Sequence, residues 1–266
     1  MTPRKSRGAT RGEHERQNRE FWDADADAYQ SVHAVDLAPD RAQAWGVWRL
    51  PESELELLGD VSGLDVLEYG CGAAQWSIAL ALDGARVVGL DQSRAQLRHA
   101  QQLQAEQGVR FPLVLANAVE TPFAAASFDL VFCDHGAMSF CDPVATVPEA
   151  ARLLRPSGRL VFCKTTALVY LTYDWTRDRQ DRRLHTDYFG MRVFDSGEGT
   201  IDFQVSYGES QSSTMYWNWR CRSLSHRILV LAFNEVGFRT TVPAVALMTA
   251  VSTASNGEFT LTSDDE

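Results

Sequence analysis

Asp65-Val66-Leu67-Glu68-Tyr69-Gly70-Cys71-Gly72-Ala73-Ala74-Gln75 is the stretch that decides the fold of this chain. Residues 65–69 read as a short strand, Gly70-Cys71-Gly72 as a turn, and Ala74–Asp83 as a helix. A strand that turns on two glycines into a helix opens a β-turn-α unit. Downstream the alternation continues through a strand at Ala85–Leu90, a helix at Ser93–Gln107 and a strand at Leu113–Ala116. A loop holding Pro122-Phe123 then leads to a strand at Phe128–Cys133, a helix at Val144–Leu154 and, after Pro156-Ser157-Gly158, a strand at Arg159–Lys164. Strands separated by helices predict a mostly parallel, doubly wound α/β sheet of right-handed crossovers. Val87-Val88 and Val131-Phe132 are continuous apolar runs, as expected where helices cover both sheet faces.

Upstream, residues 1–12 carry Arg4, Lys5, Arg7 and Arg11 with few apolar groups, and read as a disordered basic arm. A helix is predicted over Glu13–Tyr29, with Phe21, Trp22, Ala26 and Tyr29 on nearby faces, and a second over Arg41–Leu50, with Trp45 and Trp48. Together they predict a helical cap over 13–58, preceding a main domain over 59–251. After Lys164 the segment Thr172–Gly190 is rich in Arg, Asp and aromatics, which predicts an insertion after strand five, a lid over about 168–200 at the sheet's carboxyl edge. Within it Arg177–Arg183 reads as a solvated helix face of mixed charge. Ile201–Tyr207 reads as a strand and Leu224–Val236 as a helix ended by Gly237, while 252–266 is an acidic tail.

The 266 residues are 45% hydrophobic and 23% charged, ordinary usage for a globular chain with a sizeable core. No apolar run approaches the ~20 residues of a membrane-spanning helix, and Met1–Arg19 lack the apolar core of a secretory signal, so a cytoplasmic protein without a membrane partner is expected. A net charge of −10 disfavours nucleic acid, whose phosphates call for surplus Lys and Arg. The five cysteines form no C-x-x-C pair and no H-x-E occurs, so reduced thiols and a metal-free site are expected.

In open α/β sheets ligands bind beyond the carboxyl ends of the strands, where a tight first turn lets main chain approach them. A dinucleotide-binding G-x-G-x-x-G turn would place a third glycine where this chain has Gln75. The pyrophosphate reading therefore loses. Asp91, about 20 residues after the turn and closing the second strand, is placed to accept both hydroxyls of a ribose. A ribose-bearing ligand remains.

Five stretches now resemble, in order, the motifs of the class I S-adenosylmethionine-dependent methyltransferases, a Rossmann-like family. They are Val66–Gly72, Val88–Ser93 (Val-Gly-Leu-Asp-Gln-Ser), Asn117–Phe123, Ser127–Phe132 and Glu149–Gly158. The resemblance covers residues 63–165 and implies S-adenosylmethionine as cofactor and S-adenosylhomocysteine as product. It implies that Gly70, Cys71 and Gly72 meet the methionine part and that Glu68 holds its ammonium. It further implies that Asp91 takes the ribose hydroxyls, with Gln92 beside the adenine. Asn117 stands where the family usually has aspartate, so the adenine amine would be accepted by an amide oxygen, without charge assistance. The Ala118 N–H would serve adenine N1. Tyr29 and Trp22 resemble lid residues over the cofactor.

Methyl transfer from a sulfonium is an in-line displacement, so alignment and exclusion of water are the main demands. Acceptors that must lose a proton also need a base, and histidine is best poised near neutral pH. His135 is the candidate base, following Asp134 at the carboxyl end of the fourth strand, with Asp134 beside the cofactor; His185 is a second candidate. Met138, Phe140, Tyr170, Tyr173, Trp175, Tyr188, Trp217 and Trp219 make the second half aromatic, which favours an apolar or aromatic small-molecule acceptor. The expected reaction is O- or N-methylation of a small molecule, a specialised metabolite, by a monomer or homodimer. The alternatives are C-methylation and a non-catalytic cofactor-binding relative.

Overall fold

The computed structural model describes residues 11–165, 171–174, 176–185, 193–195, 201–203, 227–233 and 245–250. Residues 1–10 of the arm expected over 1–12, the tail at 252–266 and the aromatics Tyr170, Trp175, Tyr188, Trp217 and Trp219 lie outside them, while Arg11 and Gly12 of that arm are helical. The chain opens with helix α1 (Arg11–His33), then a hairpin of β1 (Ala44–Trp45) and β2 (Leu50–Pro51), then the short α2 (Glu52–Leu55). The alternating core follows as β3 (Asp65–Tyr69), α3 (Gln75–Leu82), β4 (Arg86–Asp91), α4 (Arg94–Gln107) and β5 (Leu113–Leu115). It continues through β6 (Phe128–Asp134), α5 (Gly136–Phe140), α6 (Pro143–Leu153) and β7 (Leu154–Thr165). Small hairpins β8 (Tyr173–Asp174) with β9 (Arg179–Gln180) and β10 (Val193–Asp195) with β11 (Ile201–Phe203) come next, then β12 (Arg227–Phe233) and β13 (Val245–Ala250).

The main sheet has seven strands in the order β13-β12-β7-β6-β3-β4-β5, all neighbours parallel except β12 with β13. The chain winds outward from β3 through β4 and β5, then returns to add β6 and β7 on the other side. That reversal puts a topological switch point between β3 and β6, where open α/β sheets take their ligands.

Successive strand residues point to opposite sides, so the continuous apolar runs fill two buried faces. Leu67, Tyr69, Val131, Cys133, Leu160 and Phe162 pack on one face. Val66, Leu130, Phe132, Val161 and Cys163 pack on the other. Each fully buried side chain of this size contributes about 1.5–3 kcal/mol of transfer free energy. Helix ends are set by local chemistry: the Ser93 hydroxyl accepts from Gln96 N, Asp142 accepts from Val144 N ahead of Pro143, and Gly108 stops α4 at φ +68°.

Three predicted helical segments are not helices. Arg41–Leu50 is the β1–β2 hairpin, turned by Gly46 and by Arg49 at positive φ. Trp45 and Trp48 share helical spacing yet diverge. Trp45 is fully buried against Trp76 and donates Nε1 to Glu52 at 2.6 Å, whereas Trp48 is exposed. Arg177–Arg183 belongs to the β8–β9 hairpin, closed at its turn by Asp174, which accepts from Thr176 and Arg177. Leu224–Val236 contains β12, which extends the sheet beside β7. The six-residue apolar run Ile228–Phe233 suits a buried strand as well as a buried helix, and only the neighbour it pairs with separates the two.

Candidate functional site

A cavity of about 580 Å³ opens at the switch point and is lined from four directions. The β3–α3 turn supplies Glu68, Gly70, Cys71, Gly72 and Gln75, and the end of β4 supplies Leu90, Asp91 and Gln92. Residues beyond β5 supply Ala116 and Ala118; the β6–α5 corner supplies Asp134, His135, Gly136 and Phe140. α1 and the first hairpin close the cavity with Trp22, Tyr29, Gln30, His33 and Gly46.

Glu68 is buried, and Ser77 donates to its Oε2 from both N, at 3.0 Å, and Oγ, at 2.5 Å. Burial outweighs those bonds and pushes its carboxyl up to about 8. A cation arriving beside it would restore the carboxylate. Asp91 accepts from Gly72 N at 2.8 Å through Oδ2 and from Ser93 N at 2.7 Å through Oδ1. Each oxygen retains lone-pair capacity for a further donor, and burial raises the carboxyl above its usual range. Gly72 sits at φ +53°, and a Cβ there would have only Gln96 Oε1 nearby, at 3.8 Å, so its main chain faces open space. Gly70 lines the cavity and also has a packing role. Its missing side chain lets the β6–α5 corner pass: a Cβ would lie 2.4 Å from Ala137 N. Burial pushes the Cys71 thiol well up, which makes it a neutral wall group.

At the opposite wall Asp134 Oδ1 lies 3.0 Å from His135 Nδ1. The carboxylate is itself held by Gly46 N, at 3.1 and 3.2 Å to its two oxygens. His135 occupies φ +61°, a conformation costly for a residue with a side chain, and its N–H donates to the Cys163 carbonyl at 2.9 Å. Asp134, His135 and Cys163 bring one ligand-type atom each within 4.8 Å of one another, but the carboxylate already serves Gly46 and the imidazole. Trp22 packs edge-on against Tyr29 at 5.5 Å and near Phe140 at 5.2 Å, so an aromatic wall faces this dyad. Burial, then the charge of Asp134, raises the Tyr29 hydroxyl above its ordinary value.

Two expected site residues are not brought to the wall. Asn117 does not line the cavity, although Ala116 and Ala118 do. Its Oδ1 accepts from Val119 N at 3.1 Å and its Nδ2 donates to Glu15 at 2.6 Å, so the amide closes a turn and ties α1 down. His185 pairs with Asp181 at 3.0 Å and donates its N–H to the Leu171 carbonyl, away from the lining. Its neighbour Asp174 is already occupied by Thr176 and Arg177.

The structure adds residues that sequence reading missed. Gln75 Nε2 donates to Gln30 Oε1 at 2.8 Å, and Gln30 Nε2 donates to Gln96 Oε1 at 2.9 Å. This buried amide chain fastens α1 to α3 and α4. Asp23 strengthens the seam by accepting from Ser93 Oγ and Ala95 N at the start of α4. No local pattern announces these contacts, because the partners are about 45–72 residues apart.

Residues 67–162 match the family model described as "Methyltransferase domain". The demethylmenaquinone methyltransferase of Lactococcus lactis is 31% identical over 124 residues, covering 45% of this chain and 48% of that protein. That of Mycobacterium sp. (strain JLS) is 34% identical over 145 residues, covering 54% and 57%. The chain thus spans about half the length of these curated relatives. Among solved structures, phosphoethanolamine N-methyltransferase 1 of Haemonchus contortus, in complex with phosphoethanolamine and S-adenosylhomocysteine, is similar over 68% of this chain and 37% of that one. Its sequence identity is 20% and its TM-score 0.49. No helix among the described residues is long and apolar enough to cross a membrane.

Proposed function

We propose that residues 67–162, which match a methyltransferase domain, form a class I S-adenosylmethionine-dependent methyltransferase domain, and that the protein methylates an O or N atom of a small, aromatic or apolar acceptor. The observation that carries the reading is the pairing of Glu68 with Asp91 across one glycine turn in a single cavity. The cofactor fits the residues present. Glu68, a buried carboxyl needing a positive partner, suits an α-ammonium. Asp91, with two oxygens fixed by backbone N–H groups, suits a ribose diol. Gly72 leaves the main chain bare between them.

When bound, the cofactor supplies an electrophilic methyl on sulfur, and the protein's residues do the rest. Gly70, Cys71 and Gly72 seat the methionine part, and Gln92 and Ala118 flank the adenine side. Trp22, Tyr29 and Phe140, packed edge to face, form an aromatic wall that excludes water and positions an acceptor. His135 takes the acceptor's proton at one ring nitrogen while Asp134 orients the other. No metal takes part in the proposed reaction, and specialised metabolism is the expected setting. The enzyme is expected to act in the cytoplasm without a nucleic-acid or membrane partner.

Carbon methylation is the second reading, and it is favoured by the name of the two relatives, demethylmenaquinone methyltransferase. One experiment addresses both. Incubation with isotope-labelled S-adenosylmethionine and fractionated metabolite pools should yield a labelled small molecule, and the labelled position separates heteroatom from carbon transfer. Thermal stabilisation by S-adenosylhomocysteine but not by NAD is expected alongside it; equal or no response to the two would sink the cofactor assignment.

A further inference from the structure

Each carboxyl that lines the cavity has a partner once the proposed cofactor is in place. Glu68 is matched by the ammonium and Asp91 by the ribose diol, Asp134 is held by Gly46 N and His135, and Asp36 lies 3.8 Å from the Arg41 guanidinium. Arg49 is left over. It is the one lysine or arginine among the described lining residues, it is half-buried, and no carboxylate among the described residues pairs with it. Arginine stays charged in proteins, and a guanidinium beside a cavity that a bound acceptor closes to water calls for an anion.

The hairpin of β1 and β2 fixes where that cation stands. Arg49 N donates to the Gly46 carbonyl at 3.0 Å, which closes a four-residue turn, and Arg49 sits at φ +54°, a costly conformation for a residue with a side chain. Its Nη2 donates to the Arg41 carbonyl, and Arg41 in turn donates to the Val35 carbonyl at 3.5 Å. One corner of the fork is thereby tethered to the rim, and its other N–H groups have no acceptor among the described residues. The inner end of the same turn is Gly46, whose N–H holds Asp134 beside His135. A four-residue turn spans under about 7 Å, so the cation and the proposed proton-accepting pair stand at two ends of one short element. The cofactor has an oxyanion of its own, but that carboxylate is borne by the same carbon as the ammonium and stays in the seat of Gly70, Cys71 and Gly72 beside Glu68. Arg49 belongs to the cap wall, with Asp36, Leu37, Ala42 and Val47. The acceptor remains as the source of the anion.

We infer that Arg49 selects an acceptor that carries an oxyanion, a carboxylate or a phosphate, at the end remote from the atom that is methylated. This rests on the methyltransferase reading above and narrows its acceptor to one with an acidic end. A planar guanidinium takes such a group by two parallel hydrogen bonds, which fixes orientation as well as affinity. With the oxyanion held at the rim and the body of the acceptor along the aromatic wall, the opposite end is presented to His135.

The test extends the labelling experiment. Products formed by the wild-type protein from isotope-labelled S-adenosylmethionine and metabolite pools are passed over an anion exchanger at neutral pH, and phosphatase treatment then separates a phosphate from a carboxylate. The labelled product should be retained. A labelled product that flows through as a neutral or cationic species overturns the inference, and that result needs no variant. With the retained acceptor, Arg49→Gln should raise KM at least about tenfold and change kcat less, since a site built to bond a group loses most for ligands of that kind. Its calorimetric affinity for S-adenosylhomocysteine should match wild type. Arg49→Lys, which keeps the charge and loses the fork, should fall between the two. Weaker S-adenosylhomocysteine binding in Arg49→Gln with KM for the acceptor unmoved would assign the guanidinium to the cofactor carboxylate and overturn the inference. Tight S-adenosylhomocysteine binding by wild type with no labelled product would instead bring down the methyl-transfer reading, and this inference with it.

Discussion

Gly70 and Gly136 meet backbone to backbone at the carboxyl ends of the adjacent strands β3 and β6. A Cβ on Gly70 would lie 2.4 Å from Ala137 N, and one on Gly136 would lie 2.3 Å from the Gly70 carbonyl oxygen. The cavity's floor therefore depends on two missing side chains that are 66 residues apart. Backbone atoms cannot rotate aside as a long side chain can.

Gly136→Ala should separate the β3–α3 turn from the β6–α5 corner. Overpacking of this kind costs about 1–3 kcal/mol, or more where backbone must shift. A drop in melting temperature of several degrees, with weaker cofactor binding, is the expected result. An unchanged melting curve would mean that the two turns are not held against each other.

Asp91→Ala removes the acceptor from two backbone N–H groups and from the proposed ribose diol. Hydrogen bonds to a charged group contribute about 1.5–3 kcal/mol each. Affinity for S-adenosylhomocysteine should fall by about 100-fold, with Asp91→Asn intermediate. Calorimetry showing wild-type affinity in Asp91→Ala would move the ribose elsewhere.

Glu68 predicts a pH signature. Its carboxyl is raised in the fold to about 8 from a usual value of 4.5, so the folded protein binds more protons than the unfolded chain between those limits. Ligand-free stability should therefore be fully favoured by this group below pH 4.5, fall as pH rises toward 8, and level off above it. Glu68→Gln should flatten that slope and lose cofactor binding. A cationic ammonium stabilises the carboxylate, so binding near pH 7 should release a proton. Calorimetry in buffers of different ionisation enthalpy measures this, and no dependence on buffer would argue against an ammonium at Glu68.

His135→Ala should lower turnover by about 100- to 10,000-fold if it is the base, with cofactor affinity unchanged. Asp134→Asn should lower kcat less. Wild-type turnover in His135→Ala would transfer the base to another group.

Apart from the short helix α5, the order of strands and helices from Asp65 to Thr165 was legible in the sequence, because apolar periodicity and glycine turns are local properties of the chain. So was the placement of Glu68, Gly72, Asp91, Asp134 and His135 at one edge, since a parallel sheet brings the ends of its strands together. The Arg41–Leu50 hairpin was not, because Trp45 is drawn into the core by Trp76 and Glu52, neither of which its own neighbourhood reveals.

Local sequence determined where this chain bends and which carboxylates end its strands, because φ preferences and side-chain periodicity act over a few residues. Only the tertiary structure decided that Asn117 turns away from the cavity to hold Glu15, that Gln75 fastens α1 through Gln30, and that Gly46 props Asp134. Those contacts join segments 45 to 102 residues apart, and their partners are fixed by packing and by the need to satisfy buried polar atoms.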